Sequence, residues 1–161
     1  MTGEQGSFEL GTSGFELGTD GPRSILVGVD GSTTSLRAAS YAAGLARRQG
    51  AKVTAVFVGP IASLATATPG GADLAGAQRQ AFSQTAEEMR QRAEEGSREL
   101  GISLTFIAVE GDPFLELRRI ADETHADAVV VGASAHAGHR LIGSLAVRLV
   151  RAGRWPVTVV P

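Results

Sequence analysis

Ala128 to Pro161, AVVVGASAHAGHRLIGSLAVRLVRAGRWPVTVVP, sets out a strand, a loop of small residues, a helix and a second strand in succession. Ala128–Val131 is an unbroken run of small and β-branched apolar residues closed by Gly132, the pattern of a strand covered on both faces in a parallel sheet. After the loop, Gly143 and Ser144 open a helix that runs to Gly153, and Val157–Val160 forms the closing strand. This order aims backbone N–H groups and a helix N-terminus at one point, an arrangement that holds an anion such as a phosphate. Glycine suits such a loop because a Cβ would keep the main chain away from a ligand.

Working outward, the same alternation repeats upstream. Arg23–Val29 reads as the first strand, Asp30-Gly31-Ser32 as a turn, and Ser32–Gln49 as a helix capped by Ser32 or Thr33, with Ala38, Ala42 and Leu45 on its apolar stripe. Lys52–Val58 is the second strand, stopped by Gly59-Pro60. Ile61–Gly76, with Pro69, Gly70 and Gly71, lacks clear periodicity and is expected to be a loop or a short broken helix. Phe82, Ala86, Met89 and Ala93 mark the core stripe of a helix over about 77–100, and Ile102–Val109 is the third strand. Asp112-Pro113 starts a helix to about His125 that buries Phe114, Leu117, Ile120 and Ala121. Asp127–Gly132 is the fourth strand. Five strands alternating with four helices predict an α/β fold, a single doubly wound parallel sheet of flavodoxin-like size.

The opening strand with its acid (ILVGVDGS, Ile25–Ser32), the late strand VVVG, the pair Gly143-Ser144 and the closing PVTVVP together resemble the universal stress protein family, over about residues 23–161. The resemblance implies an adenine-nucleotide-alpha-hydrolase-like sheet with strand order 3-2-1-4-5, and a crevice between strands one and four beyond their carboxyl ends. It implies a bound adenine nucleotide, ATP, accompanied by Mg2+, and a homodimer formed through the C-terminal strand, with Trp155 beside it. Asp30 would contact adenine or ribose, the backbone of Val58 would meet adenine, and Gly132, Gly143 and Ser144 match phosphate-contacting positions. Nucleotide-binding members carry twelve residues between the first and last glycine of this loop, the second glycine three positions after the first. Here ten residues, 133 to 142, separate Gly132 from Gly143, and Ala135 stands in place of the second glycine.

Each of these residues also has a plainer reading. Asp30 caps the turn or the first helix, Val58 packs in its strand, and Gly132 and Gly143 serve a tight strand exit and a helix cap. Arg140 is placed to hold a phosphate oxygen and His136 and His139 to donate hydrogen bonds, or all three are solvated loop residues. His125 is expected to meet carbonyls at its helix end. Arg148, Arg151 and Arg154 recur every third residue, as a binding stripe or a solvated helix face. Gly132-Ala-Ser134-Ala-His136 is no nucleophile elbow, lacking its last glycine, and there is no GxxxxGK[ST] run or GxGxxG fingerprint. No metal site is assigned.

At 161 residues the chain has the length of one domain. With no cysteine it excludes a disulfide framework and a thiolate nucleophile or metal site. Fifteen basic against 17 acidic residues leave a net charge of −2, too weak a field to gather nucleic acid or anionic membrane, and aromatics at 5% are too few for base stacking. The N-terminus reads as neither signal peptide nor membrane span, so a cytoplasmic protein is expected. Residues 1–22 are expected to form a flexible arm carrying FELGT twice, at Phe8–Thr12 and Phe15–Thr19, too short to bury a core and suited to a tether for a partner or neighbouring subunit. The function expected is a stress-responsive regulatory module that senses a nucleotide, with ATP hydrolysis weak at most. The alternative is a family member that binds no nucleotide and acts as a dimeric protein-interaction module.

Overall fold

Strand β1 (Ser24–Val29) lies at the centre of a five-stranded sheet because its residues are apolar on both sides: Ile25, Leu26 and Val27 are almost wholly buried. The computed structural model describes residues 21–61, 71–134 and 143–161. Along the chain follow α1 (Thr33–Gln49), β2 (Lys52–Gly59), α2 (Gly71–Leu100), β3 (Ser103–Glu110), α3 (Pro113–Glu123), β4 (Ala128–Gly132), α4 (Ser144–Ala152) and β5 (Val157–Val160). The sheet is parallel, in the order β3-β2-β1-β4-β5, as expected. Ile25 pairs with Val53 on one side and with Ala128 on the other, so β1 bridges the two halves.

The two-residue period of the strands divides the core. Ile25, Val27, Val53, Ala55 and Val130 face α1 and α2, meeting Ala38, Ala42, Ala46 and Ala86. Leu26, Val56, Val129 and Val131 face α3 and α4, meeting Leu117, Ile120, Ala146 and Leu149. Winding therefore reverses between β1 and β4, the point at which open sheets of this type leave a crevice. At the opposite end Asp127 fixes the start of β1, its Oδ2 accepting from the N–H of Arg23 (2.8 Å) and of Ser24 (2.9 Å).

The helix ends are built as the sequence suggests. Ser32 caps α1, its hydroxyl accepting from the Ser35 N–H, and Gly50 closes that helix in the left-handed region at φ 65°. Asp112 caps α3 by accepting from the Leu115 N–H, with Pro113 in the first turn. Two expectations need correction. The helix placed at 77–100 begins at Gly71, so the last part of the presumed loop Ile61–Gly76 is helical; residues 62–70 lie outside the described residues. The core stripe continues one heptad back from Phe82 to the buried Ala75, and Asp73 favours the first turn through the helix dipole. The α3 helix also stops two residues before His125, which lies in the left-handed region at φ 49°. The terminal carbonyls are met by the Thr124 hydroxyl to Ile120 O (2.7 Å) and by backbone N–H groups, His125 to Asp122 O (3.3 Å) and Ala126 to Ala121 O (2.9 Å), as in a Schellman ending.

No helix among the described residues is long and apolar enough to cross a membrane. Leu149 is wholly buried between α4 and the sheet, whereas Leu115 on α3 is 54% exposed. Leu149→Ala should lower unfolding free energy by about 2–5 kcal/mol and Leu115→Ala by less than about 0.5 kcal/mol in urea titrations.

Candidate ligand site at the sheet switch point

A cavity of about 220 Å³ opens where β1 and β4 part, and Asp30, Val58, Gly132, Gly143 and Ser144 all line it. Arg140, His136, His139, Ala135 and Gly138 lie outside the described residues, as does the FELGT arm. Val56, Val58 and Leu117 give the cavity an apolar wall, while Asp30, Ser32, Thr34, Ser35, Ser134 and Ser144 supply polar groups.

Asp30 fills its plainer role fully. With Gly31 at φ 81°, the Ser32 N–H folds back to donate to Asp30 Oδ1 at 2.9 Å, an Asx-type turn that delivers the chain into α1. Ser35, nearly buried, links the same turn: its Oγ accepts from the Asp30 N–H (3.2 Å) and donates to Ser32 O (3.0 Å). Partial burial acts to raise the Asp30 pKa, but hydrogen bonding around the turn, the Ser32 amide among its donors, outweighs it. The carboxyl is held below its ordinary value. Asp30 thus presents a fixed negative charge at the cavity, with one oxygen engaged by the turn.

Gly132 is small for a reason other than ligand approach. A Cβ there would lie 2.6 Å from both Ser35 N and Thr34 C, so the first turn of α1 rests directly on the end of β4. Thr34 Oγ1 donates to Ala133 O at 2.7 Å, and the Ala133 N–H donates to Val160 O at 2.7 Å. Both polar groups of the first residue after β4 are therefore used internally, which narrows the expected cradle of loop amides.

The donors remaining on the cavity wall belong to α4. Gly143 is its N-cap, at φ −59° and ψ 156°, and has no side chain with which to cap it. The N–H groups of Ser144, Leu145 and Ala146 open the helix beside the cavity, precede its first internal bond, Val147 N–H to Gly143 O (3.1 Å), and carry the positive end of the helix dipole. Gly143 is itself packed: a Cβ would come 2.8 Å from Ser134 Cβ, so the two described ends of the intervening loop touch. The pocket therefore opposes one carboxylate with one set of anion-seeking amides across an apolar wall. It can hold a molecule with a hydroxyl or amine at one end, a flat apolar body and an anion at the other. Among the described residues no cluster of three or more His, Asp or Glu that could hold a metal occurs, and Asp30 is the one carboxylate lining the cavity.

Thr34 and Ser35 are the site residues that residue-by-residue reading passed over. Their signal was the hydroxyl run Ser32-Thr33-Thr34-Ser35 directly after Asp30-Gly31. The arginine series Arg148, Arg151 and Arg154 lies away from the cavity. Arg148 pairs with Asp112 (3.1 Å) and covers the Phe114 ring, and Arg154 pairs with Asp122 (3.0 Å), which supports the reading as an exposed helix face.

The sequence model of the Universal stress protein family matches residues 22–161. The chain belongs to that family. It is 27% identical over 141 residues to a universal stress protein of Methanocaldococcus jannaschii, with 86% of this chain and 81% of the relative covered. Among solved structures it is similar to a universal stress family protein of Burkholderia pseudomallei, at 29% identity and TM-score 0.65, covering 86% of this chain and 96% of that one. It is similar too to a universal stress protein in complex with cAMP, at 25% identity and TM-score 0.62, with the same coverage of 86% and 96%. In this universal stress family chain the switch point holds a cavity, and Gly132 serves helix packing.

Gly132→Ala should destabilise the fold by about 1–3 kcal/mol with no ligand present, measured by chemical denaturation. Asp30→Ala should lose about 1 kcal/mol at pH 7 through the broken turn. Because the folded pKa of Asp30 is lowered, its contribution is complete above the unfolded value near 3.9 and fades as pH falls through the folded one. The stability gap between wild type and Asp30→Ala should accordingly narrow below about pH 4.

Proposed function

We propose that this universal stress family chain binds an adenine nucleotide in the β1/β4 crevice and acts as a regulatory, ligand-sensing module. The observation that carries this reading is the N-terminus of α4, whose glycine cap offers no side chain to its amides, facing the cavity wall that bears Asp30 and Val58. Phosphate oxygens sit at Gly143, Ser144 and the following amides, where the helix dipole and first-turn donors favour negative charge. Adenosine lies toward Asp30 and Val58, its hydroxyls donating to the carboxylate. Gly132 shapes the floor, and Arg140 is assigned to the phosphate end. The relative in complex with cAMP supports this class of ligand.

ATP is the nucleotide proposed, and Mg2+ would arrive on its phosphates, since Asp30 is the cavity's one described carboxylate. A regulatory role follows from the same chemistry: no described side chain on the wall pairs a general base with a position for an attacking water, so hydrolysis is weak at most. The sensor works in the cytoplasm in response to stress.

A second reading rests on β5. This strand is at the sheet edge, paired to β4 alone among the described strands, and its four residues are only half-buried. We assign it to a homodimer contact, with Trp155 alongside; the same surface suits a protein-interaction module that needs no nucleotide.

Substitution at Ser144 separates the backbone donor from the hydroxyl. Proline is compatible with the first position of a helix, and Gly143 already has the extended conformation that a following proline requires. Ser144→Pro should keep the fold yet weaken ATP binding about tenfold or more, whereas Ser144→Ala keeps the amide and should lose less, by isothermal titration. ATP at about 100 times its Kd should stabilise wild type by about 2.7 kcal/mol. Absence of any thermal shift at millimolar ATP would favour the β5 reading. Light scattering should give twice the chain's mass.

A further inference from the structure

The helices α1 and α2 do not close over the sheet. Between them runs an apolar groove of about 260 Å³, walled by Leu36 and Ala43 on α1 and by Met89 and Ala93 on α2. Its floor includes Leu104 of β3 and Ile102 just before it, both packed toward the helices and only half-buried. Leu36 is 48% exposed and Leu100, at the lower end, 39% exposed. At mid-groove α2 carries Gly96, and a Cβ built there meets nothing within 4 Å, so among the described residues the space is open.

We infer that this groove is the docking site for the chain's own N-terminal arm, and that the Phe and Leu of a FELGT copy, Phe15 and Leu17 or Phe8 and Leu10, fill it. Three observations identify the occupant. The first is where the described chain begins. Gly21 lies against the side chain of Gln49, the last residue of α1, and Arg23 O accepts from the Lys52 N–H at 2.8 Å. Ala43, the lowest groove residue on α1, is six positions before Gln49, about 9 Å along the helix.

The second is length. Phe15 lies six positions before Gly21, enough to span about 20 Å when extended, and Phe8 thirteen positions before it, about 43 Å. Along α2 the groove extends from Met89 to Leu100, about 16 Å, room for one FELGT copy but not for two in line.

The third is charge. Residues 1–20 contain Glu4, Glu9, Glu16 and Asp20 and no Lys, Arg or His. The one charged residue lining the groove is Arg92, and the exposed Arg47 and Arg48 stand in the last turn of α1 toward the arm's root. A Phe-Glu-Leu segment then lays two apolar side chains on an apolar floor and its acid beside arginine. Docking there also reaches the ligand site, because Met89 at the upper end lies against Gly31 of the Asp30 turn.

Cleavage of the full-length protein after Glu9 and Glu16 by a glutamate-specific protease reads the docked state directly. Gly96→Leu fills the groove while favouring α2, since leucine is the better helix former. Cleavage should be at least about tenfold faster in Gly96→Leu and in Phe8→Ala/Phe15→Ala than in wild type, a change of about 1.4 kcal/mol in the docking equilibrium. Circular dichroism should show all three equally folded. Equal cleavage in wild type and Gly96→Leu would overturn the proposal. Protection in wild type that disappears on dilution would also overturn it, placing the arm on a second copy.

Discussion

The first turn of α1 lies directly on the end of β4, and the crevice depends on that contact. A glycine at 132 is the only residue that lets the backbone of Thr34 and Ser35 approach β4 so closely, and Thr34 then donates to the carbonyl of Ala133. The Asx turn at Asp30 delivers the chain to this position, and Ser35 locks it by bonding both to Asp30 and to Ser32. With the start of α1 pinned on one face and α4 on the other, the β1 and β4 ends cannot collapse together. The cavity is therefore the gap between two fixed helix starts.

Those two helix starts differ in how their donors are satisfied. At α1, Ser32 caps the first turn with its own side chain, so that end of the helix is self-sufficient. At α4 glycine occupies the cap position and supplies nothing. The difference in polarity across the cavity follows: a carboxylate and hydroxyls on the α1 side, and on the α4 side helix amides that no side chain of the cap residue meets. A single chemical contrast at two N-caps thus gives the cavity two unlike ends.

Most of the fold was legible because its signals are local and repeated. Apolar strands, 3.6-period helical stripes, Ser32 and Asp112 as caps and Gly50 as a helix stop all agree with one another, and such agreement across levels specifies a fold. The start of α2 was hidden because Gly70 and Gly71 look like breakers, while the signal for helix, Ala75 in register with Phe82, lies one heptad from the stripe that was counted. The site was legible as positions rather than as roles. Asp30, Val58, Gly132, Gly143 and Ser144 do gather around one cavity, but the purpose of Gly132 depends on a helix ninety-odd residues earlier in the chain, which no local pattern encodes. The role of the Thr34 hydroxyl was likewise unreadable until its partner, the carbonyl of Ala133, was known.

The touching of Ser134 and Gly143 bears on how this family's glycine loop is free to vary. Where the two stems of a loop are already in contact, the scaffold is indifferent to how many residues lie between them: shortening the Gly-to-Gly span from twelve residues to ten alters closure entropy by only about 0.2 kcal/mol. The length of this segment is therefore free to change at almost no cost to folding, because its stems are held by the sheet and by α4 rather than by the residues between them.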